Sequence, residues 1–461
     1  MNGMPVSPAR AAAFDILLRV ECESSYASEL LHSAACERLS PSDHGLATEL
    51  VMGVLRWRSR LDDEIATASS QALPKLDLEV LISLRLALYQ LRRLDRIPQR
   101  AALHESVELV KRARKRSAVP FVNAVLRRLS AAPPDRDAPA GEPLSAESLA
   151  REFAHPLWLV ERWEREYGLG SAQAICRYNQ SNPITAIRLR TPGAEAQLAL
   201  AGITLKPGGL LASARRVQSG EVTKTETFRR GEIVIQDEAS QLVAALVGTS
   251  AKQRPQILDC CAAPGGKTLA IADRNPSAAI TAVELYPHRA RLLQHLLHSR
   301  EPRSAARTHI VIGDARHLPA ATVFDRVLAD VPCSGTGTIA RNPEIKWRLK
   351  LEDLTELRHR QLAILASAMK QLAPGGRLVY STCSLEKEEN EDVVEQAMRE
   401  QTSAGTTSFR LIDCRRELDR LRNAGELMWP EPASLTRGPY LRTIPGVHPC
   451  DGFFAAILER I

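Results

Sequence analysis

From about Asp237 to the C-terminus, short aliphatic runs alternate with stretches whose apolar residues recur at helical spacing. The runs Gln256–Asp259, Ile280–Glu284, His309–Ile312, Val327–Asp330 and Arg377–Ser381 read as strands, and Phe453–Leu458 as one more. Thr268–Asp273, Ala290–His298 and Asp353–Leu372 read as helices between them. Strands separated by helices cannot pair as tight hairpins, so the pattern predicts parallel βαβ units in an open sheet. Such sheets bind their ligands beyond the carboxyl ends of the strands, and the chemically distinctive residues of this chain fall there.

After the first of these strands comes Leu258-Asp-Cys-Cys-Ala-Ala-Pro-Gly-Gly-Lys-Thr268, a small-residue loop leading into a helix. Cys261, Ala262, Ala263, Pro264, Gly265, Gly266 and Lys267 would let a nucleotide-like ligand approach the backbone closely. A phosphate-binding Walker loop needs glycine where Cys261 stands, and the Gly-x-Gly-x-x-Gly dinucleotide spacing is absent. Glu284, at the tip of the second strand, suits hydrogen bonds to ribose hydroxyls. Asp314, after the third, suits a polar contact to an adenine ring. A loop with two acids and no pyrophosphate grip describes a nucleoside site, and S-adenosylmethionine fits it. No metal-ligand spacing accompanies these residues, so no metal is expected.

The remaining strand ends carry Asp330-Val-Pro-Cys-Ser-Gly-Thr-Gly337 and Tyr380-Ser-Thr-Cys-Ser384. Methyltransferases that act on exocyclic amino nitrogens place an aromatic residue where Cys333 stands. Carbon 5 of cytosine is a poor nucleophile; a thiolate added to carbon 6 makes the ring an enamine that can attack a sulfonium methyl group. One cysteine explains addition, and a second nearby can assist release. A free cysteine is most often a small buried residue, but two thiols at the exits of neighbouring strands beside the inferred cofactor loop favour chemistry. Their spacing does not say which of Cys333 and Cys383 attacks.

Ahead of this region, residues 1–130 show helical periodicity throughout, with Pro98 and Pro120 at breaks. Residues 131–147 hold four prolines and no core-forming run, which marks a linker. Residues 148–236 read as a small α/β subdomain, leaving 237–461 for the large α/β domain. Lysine and arginine exceed aspartate and glutamate by seven in the 461 residues. The excess is concentrated: residues 85–130 hold twelve cations against Asp95, Glu105 and Glu108, a net +9. That clustering suits a polyanion such as RNA. The first residues lack the blocks of a secretory signal, and no apolar run is long enough to span a bilayer, so a cytoplasmic chain without membrane contact is expected.

Asp-Cys-Cys-Ala-Ala-Pro-Gly-Gly-Lys-Thr, Asp-Val-Pro-Cys-Ser-Gly-Thr-Gly and Ser-Thr-Cys-Ser closely resemble the motifs of the RNA 5-methylcytosine methyltransferase family, also called the NOL1/NOP2/Sun family. The helical N-terminal region resembles a NusB-type RNA-binding domain, and the whole chain resembles the bacterial ribosomal RNA branch of the family. The resemblance implies an all-α NusB-like domain joined to an α/β class I, Rossmann-like methyltransferase domain with a small α/β subdomain. It implies S-adenosylmethionine as cofactor, held by Cys261 to Lys267, Glu284, Asp314 and Asp330. It implies Cys383 as nucleophile, Cys333 as the residue that helps release the product, and Asp330 and Lys267 beside the base. The substrate it implies is cytosine 967 of 16S ribosomal RNA, in naked RNA or an early assembly intermediate, methylated by a monomer. The same chemistry on transfer RNA, or an RNA-binding regulator with an inactive methyltransferase domain, are the alternatives. Val331 replaces the alanine usual in the fourth-strand motif and leaves the cysteine in place.

Overall fold

A computed structural model describes residues 6–23, 25–132, 145–300, 307–319, 323–404 and 408–461. Most of the Pro-rich stretch read as a linker over 131–147 lies outside the described residues, as do the first five residues. The chain divides into two compact units, residues 1–182 with 339–348, and residues 183–338 with 349–461. Among the described residues no helix is long and apolar enough to cross a membrane.

The first unit is helical: α1 (Pro8–Glu23), α2 (Ala27–Leu31), α3 (Pro41–Ala68), α4 (Leu78–Arg93), α5 (Gln99–Arg112) and α6 (Val119–Ala131). The long α3 starts where Ser40 can cap it; the hydroxyl accepts from the Asp43 backbone N–H at 3.1 Å, and Pro41 occupies the first turn. Phe14, Leu17, Leu50, Ile65, Leu84, Leu88, Val110 and Leu126 form its core. They recur along their helices at the spacing that puts them on one face.

Two departures from the sequence reading concern which unit a segment joins. The sequence groups 148–236 together, whereas α7 (Ala146–Glu152), α8 (Leu157–Tyr167) and α9 (Leu169–Gln180) belong to the helical unit. Their apolar faces, with Leu159, Val160, Trp163 and Ile175 fully buried, are used up in helix–helix packing, including α9 on α3. The sequence also places 339–348 inside the 237–461 domain, yet this segment belongs to the first unit. There the Lys346 ammonium donates to the Arg56 carbonyl at 2.8 Å, the Trp347 indole N–H donates to the Leu55 carbonyl at 2.6 Å, and Glu344 accepts from the Ala27 N–H at 2.8 Å. Burial pushes the Lys346 ammonium far below its usual pKa.

The basic cluster is also reapportioned. Arg85 is clamped by Asp62 through two hydrogen bonds of 2.7 and 2.8 Å and reaches Glu21. Arg92 pairs with Glu64, Lys111 with Glu108, Arg112 with Asp15, and Lys115 with Asp77 and Glu79. Arg93 lies 3.6 Å from the centre of the Trp57 ring. Arg96, Arg100, Arg114, Arg116 and Arg127 are exposed and have no ion-pair partner among the described residues. The field available to a polyanion is therefore narrower than the sequence count suggests.

The second unit opens with a four-stranded antiparallel sheet of order β2-β3-β1-β4, made of β1 (Ala186–Leu189), β2 (Thr204–Pro207), β3 (Ala214–Ser219) and β4 (Ile233–Ile235). Helices α10 (Ala194–Leu200) and α11 (Glu226–Arg229) accompany it, and α12 (Glu238–Val247) leads into the large sheet. That sheet contains β5 (Gln256–Asp259), β6 (Ala279–Glu284), β7 (Thr308–Ile312), β8 (Phe324–Asp330), β9 (Leu372–Thr382), β10 (Phe409–Ile412), β11 (Thr436–Arg437), β12 (Tyr440–Thr443) and β13 (Phe453–Arg460). Its order is β11-β12-β13-β9-β8-β5-β6-β7, with β10 on β13. Strands β5 to β9 are mutually parallel, and the direction of winding reverses between β5 and β8. The expected architecture, a helical domain and an α/β domain with a small subdomain, is present. Strands β8 and β9 begin earlier than the sequence suggests, because Phe324 pairs with Leu372 across a register irregularity. That pairing also ends the preceding helix (Leu351–Gln371) one residue short of the expected boundary.

Arg85 carries a prediction. Its side chain is 4% exposed and its acidic partners are half-buried, so Arg85→Ala strips Asp62 of its two short hydrogen bonds and leaves Asp62 and Glu21 to Arg58 alone. The change should cost about 2–3 kcal/mol in denaturant unfolding. A loss under about 0.5 kcal/mol would mean that the cation is a surface charge.

Candidate active site

The site is built at the winding reversal, where the carboxyl ends of β5 and β8 leave a crevice. Strand β5 ends on Asp259, a buried residue whose Oδ2 accepts from the Thr268 hydroxyl at 2.7 Å, while Oδ1 has no side-chain partner. Burial raises its pKa to about 7; Thr268 opposes the rise, Asp330 adds to it, and Lys267 opposes it. The following loop is pinned on both sides, Cys260 N–H to the Leu328 carbonyl and Ala262 N–H to the Val283 carbonyl, each at 2.9 Å. Gly265 then turns the chain into α13 (Gly266–Arg274) with φ of 111°, a left-handed conformation that favours glycine. A Cβ there would also meet Leu293 Cδ1 at 2.6 Å. Burial pushes the Cys261 thiol far up, which disfavours the thiolate form there.

Lys267, in the first turn of α13, reaches across the crevice to Asp330 at the end of β8, Nζ to Oδ2 at 2.8 Å. Asp330 Oδ1 accepts from the Ser381 hydroxyl at 2.7 Å. Burial pulls the Lys267 ammonium down, but its pairing with Asp330, with lesser help from Cys383 and Asp259, holds it above its usual pKa. Its Nζ also sits 4.9 Å from the Phe453 ring centre.

The two cysteines meet. Cys333, in the turn after β8, and Cys383, directly after β9, have their sulfurs 3.3 Å apart. The hydrogen bond with Cys383, and then burial, push the Cys333 thiol far above its usual pKa. The turns are closed by Gly337, whose N–H donates to the Cys383 carbonyl at 2.9 Å and whose own carbonyl accepts from Gly452. A Cβ on Gly337 would lie 2.2 Å from the Gly452 oxygen, so the approach requires glycine.

On the far side of the loop, Glu284 ends β6 buried, with Oε1 accepting from the Tyr286 N–H at 3.0 Å. Its Oε2 has no partner among the described residues and is an available acceptor. Asp314 is placed differently from a free polar contact: both oxygens accept from the Arg316 guanidinium, which holds its pKa at about 2. Leu285 and Tyr286, each nearly half exposed, lie beside Glu284. The small-residue loop and the open acceptor of Glu284 fit an adenosyl group. Among the described residues no cluster of His, Cys, Asp or Glu could hold a metal ion.

The structure thus gathers Lys267, Asp330, Cys333 and Cys383 at one point, with Cys261 to Gly266 and Glu284 reached through the same loop and Asp314 at the neighbouring strand end. Sequence reasoning missed Asp259, Ser381, Phe453 and Glu389. Asp259 and Ser381 were within quoted motifs and could have been found by asking what neighbours each strand end. Glu389 sits in the run Glu386-Lys-Glu-Glu-Asn-Glu-Asp392, which reads as solvated charge, yet Glu386, Glu389 and Glu391 are all buried.

Comparison with known proteins agrees over nearly the whole chain. The profile of the 16S rRNA methyltransferase RsmB/F family matches residues 247–459, and that of the NusB family matches residues 7–131. The chain is 32% identical to the probable ribosomal RNA small subunit methyltransferase B of Bacillus subtilis, across 99% of this chain and 100% of that relative. It is 30% identical to the ribosomal RNA small subunit methyltransferase B of Vibrio cholerae, across 98% and 97%. The crystal structure of PH0851 has the same fold, with a TM-score of 0.78 and 22% identity over 99% of this chain and 100% of that one. NSun6 from Pyrococcus horikoshii with SFG matches 66% of this chain and 98% of its own, at a TM-score of 0.53 and 19% identity.

Asp259 titrates at about 7 in the folded chain, against an ordinary value of 3.8. Its contribution to stability is complete below the unfolded value and is lost as pH rises through the folded one, since ionising a buried carboxyl costs more than ionising a solvated one. Thermal melts from about pH 5 to about pH 8 should therefore show Asp259→Asn losing less stability with rising pH than the wild type. Parallel profiles would mean that Asp259 is already ionised throughout.

Proposed function

The chain belongs to the 16S rRNA methyltransferase RsmB/F family, and from that premise we propose that it moves a methyl group from S-adenosylmethionine to carbon 5 of a cytosine through a covalent Cys383–base bond. The observation that carries this reading is the pair of sulfurs at 3.3 Å placed between opposite charges. Cys383 interacts with the Lys267 ammonium, while Cys333 sits beside Cys383 and the Glu389 carboxylate. A negative sulfur is favoured next to a cation and disfavoured next to an anion. On this reading Cys383 is the sulfur placed to attack, and Cys333 the one placed to assist release.

In this reading the Cys383 sulfur bonds to carbon 6 of the cytosine, and the electron pair moves onto carbon 5. Bound S-adenosylmethionine supplies an electrophilic methyl group for that carbon. Asp330 faces the amino edge of the base, and Lys267 offsets the negative charge the ring acquires. For release, the carbon 5 proton passes to Cys333 while the proton of Cys333 goes to the departing Cys383 sulfur; the C6–S bond breaks and the ring double bond re-forms. The Cys261–Gly266 loop and Glu284 hold the adenosyl group. Swinging the base out of its stack costs a few kcal/mol, least in an unpaired loop. The target that the resemblance implies is cytosine 967, in naked 16S RNA or an early assembly intermediate, with the chain acting as a cytoplasmic monomer.

RNA engagement is assigned to the helical unit. A groove of about 680 Å³ between α5 and α6 has Leu103, Val107 and Leu126 on its floor, with Arg100, His104, Lys111, Asn123 and Arg127 on its rims. Glu108 neutralises Lys111, which leaves Arg100 and Arg127 as the uncompensated pair. Two cations above an apolar floor suit phosphates flanking a ribose or base.

Separate cysteine variants test the mechanism. Cys383→Ala should abolish methyl transfer and covalent RNA capture together. Cys333→Ala should still form the bond and resolve it slowly, leaving a protein–RNA species on denaturing gels. Capture by Cys383→Ala in place of Cys333→Ala would reverse the roles, and activity without capture in either variant would remove covalent catalysis.

The groove is tested by salt. Arg100→Ala with Arg127→Ala should flatten the log–log salt dependence of RNA affinity by about 0.7–0.9 for each phosphate that is no longer neutralised. Arg112→Ala with Lys115→Ala, which removes cations already paired, should change the slope far less. The opposite ranking would place the RNA at the α5 C-terminus.

A further inference from the structure

The turns that carry the two cysteines share one buried anion. Each cysteine is followed by a serine, Ser334 and Ser384, and both hydroxyls donate to Oε2 of Glu389, the latter at 2.5 Å. Oε1 of the same carboxylate accepts from the Ser334 backbone N–H and from the Gln361 side chain, each at 2.8 Å. Gln361 in turn donates to the Pro332 carbonyl at 2.9 Å, so the residue before Cys333 is tied in as well. Glu389 is completely buried, and its neighbour Asn390 donates to the Ser384 carbonyl at 2.9 Å while accepting from Thr382. The Tyr380 hydroxyl holds the Glu389 backbone carbonyl at 2.6 Å.

A buried carboxylate is costly unless every lone pair is used. Here four donors use them, and three come from the residues that immediately follow the cysteines. The sheet sets the register of β8 and β9 only as far as Asp330 and Ser381. Beyond that point two backbone hydrogen bonds join the turns, Val331 N–H to the Ser381 carbonyl at 3.0 Å and Gly337 N–H to the Cys383 carbonyl at 2.9 Å, and side chains supply the ties beside the sulfurs themselves. We propose that Glu389 is a positioning residue, a clasp that joins the Cys333 and Cys383 turns and sets the distance between the two sulfurs. This deepens the reading of Cys333 and Cys383 as the reacting pair and rests on it.

The test separates geometry from activity. Diamide takes two electrons and two protons from a thiol pair to leave a disulfide, and the rate of Cys333–Cys383 bridging, mapped by peptide mass spectrometry on the full chain, reports their juxtaposition without any RNA. Glu389→Ala should slow bridging and lower kcat for methyl transfer by at least about tenfold each, with S-adenosylmethionine affinity within about twofold. Glu389→Gln keeps an acceptor for the Ser334 N–H and can still bond both hydroxyls, so it should restore most of the bridging rate and most of kcat. If Glu389→Ala does not fold, Ser334→Ala and Ser384→Ala each remove one donor and should each slow bridging. Wild-type bridging in Glu389→Ala, or in both serine variants, overturns the clasp. Slowed bridging in a protein whose wild type methylates no RNA would instead sink the functional reading and leave the clasp standing.

Discussion

The parallel pairing of β8 with β9, with Asp330 opposite Ser381, is the constraint on which the chemistry depends. It puts one acid and one hydroxyl side by side at the strand ends, and the Ser381–Asp330 hydrogen bond uses that adjacency to aim the carboxylate at Lys267. The lysine arrives from β5's loop, the strand on the other side of β8, so three consecutive strands of the sheet converge on a single ion pair. Because parallel strands need long crossovers, residues more than sixty positions apart in the chain meet here with backbone precision.

Charge then differentiates two chemically identical groups. Cys333 and Cys383 touch, and either sulfur could donate to the other. Which is which follows from the surroundings. Lys267, held in its ammonium form by Asp330, stands nearer the Cys383 side of the balance, and Glu389 stands on the Cys333 side. Asp259, fully buried and with its pKa raised to about 7, also acts on Lys267, more weakly than Asp330 does. These surroundings support the proposal of Cys383 as nucleophile, where spacing in the sequence left the two equivalent.

Much of this was legible in advance because the loops are local. Loop and strand ends such as Cys261–Lys267, Glu284 and Asp330 lie within a few residues of a hydrophobic run, so pattern alone places them at one edge of the sheet. What could not be read was long-range or depended on burial. Glu389 and Glu391 look like solvent-facing acids in a charged run, and only the packing of the helix Leu351–Gln371 against their turn brings Gln361 to Glu389. The segment 339–348 follows the Cys333 turn directly in sequence, yet its partners Leu55, Arg56 and Ala27 lie about three hundred residues earlier. No periodicity encodes such a partner. Asp314 reads from the sequence as a polar contact to an adenine ring because its neighbour Arg316, two residues on, is invisible as a competitor until the turn geometry is known.

The basic cluster shows the same limit in energetic terms. A net +9 in the sequence is a count of charges, whereas an RNA phosphate responds to charges that are not already engaged. The Arg112–Asp15 pair is about half exposed on both sides, and such pairs are worth only about 0–1 kcal/mol. Breaking it is therefore cheap. Breaking it nonetheless gains the RNA little, because releasing Arg112 leaves Asp15 facing the incoming phosphate, and repulsion from the acid offsets attraction to the base. Arg85 is the opposite case: prying it from Asp62 and Glu21 costs more than a solvent-screened phosphate contact returns. Arg100 and Arg127 carry neither penalty, since no acid pairs with them among the described residues and they rim a groove with an apolar floor. The physical criterion for an RNA contact in this unit is thus an exposed cation without an acid: it sets aside Arg85, Lys111, Arg112 and Lys115, keeps Arg96, Arg114 and Arg116, and finds in Arg100 and Arg127 a pair that also rims an apolar floor.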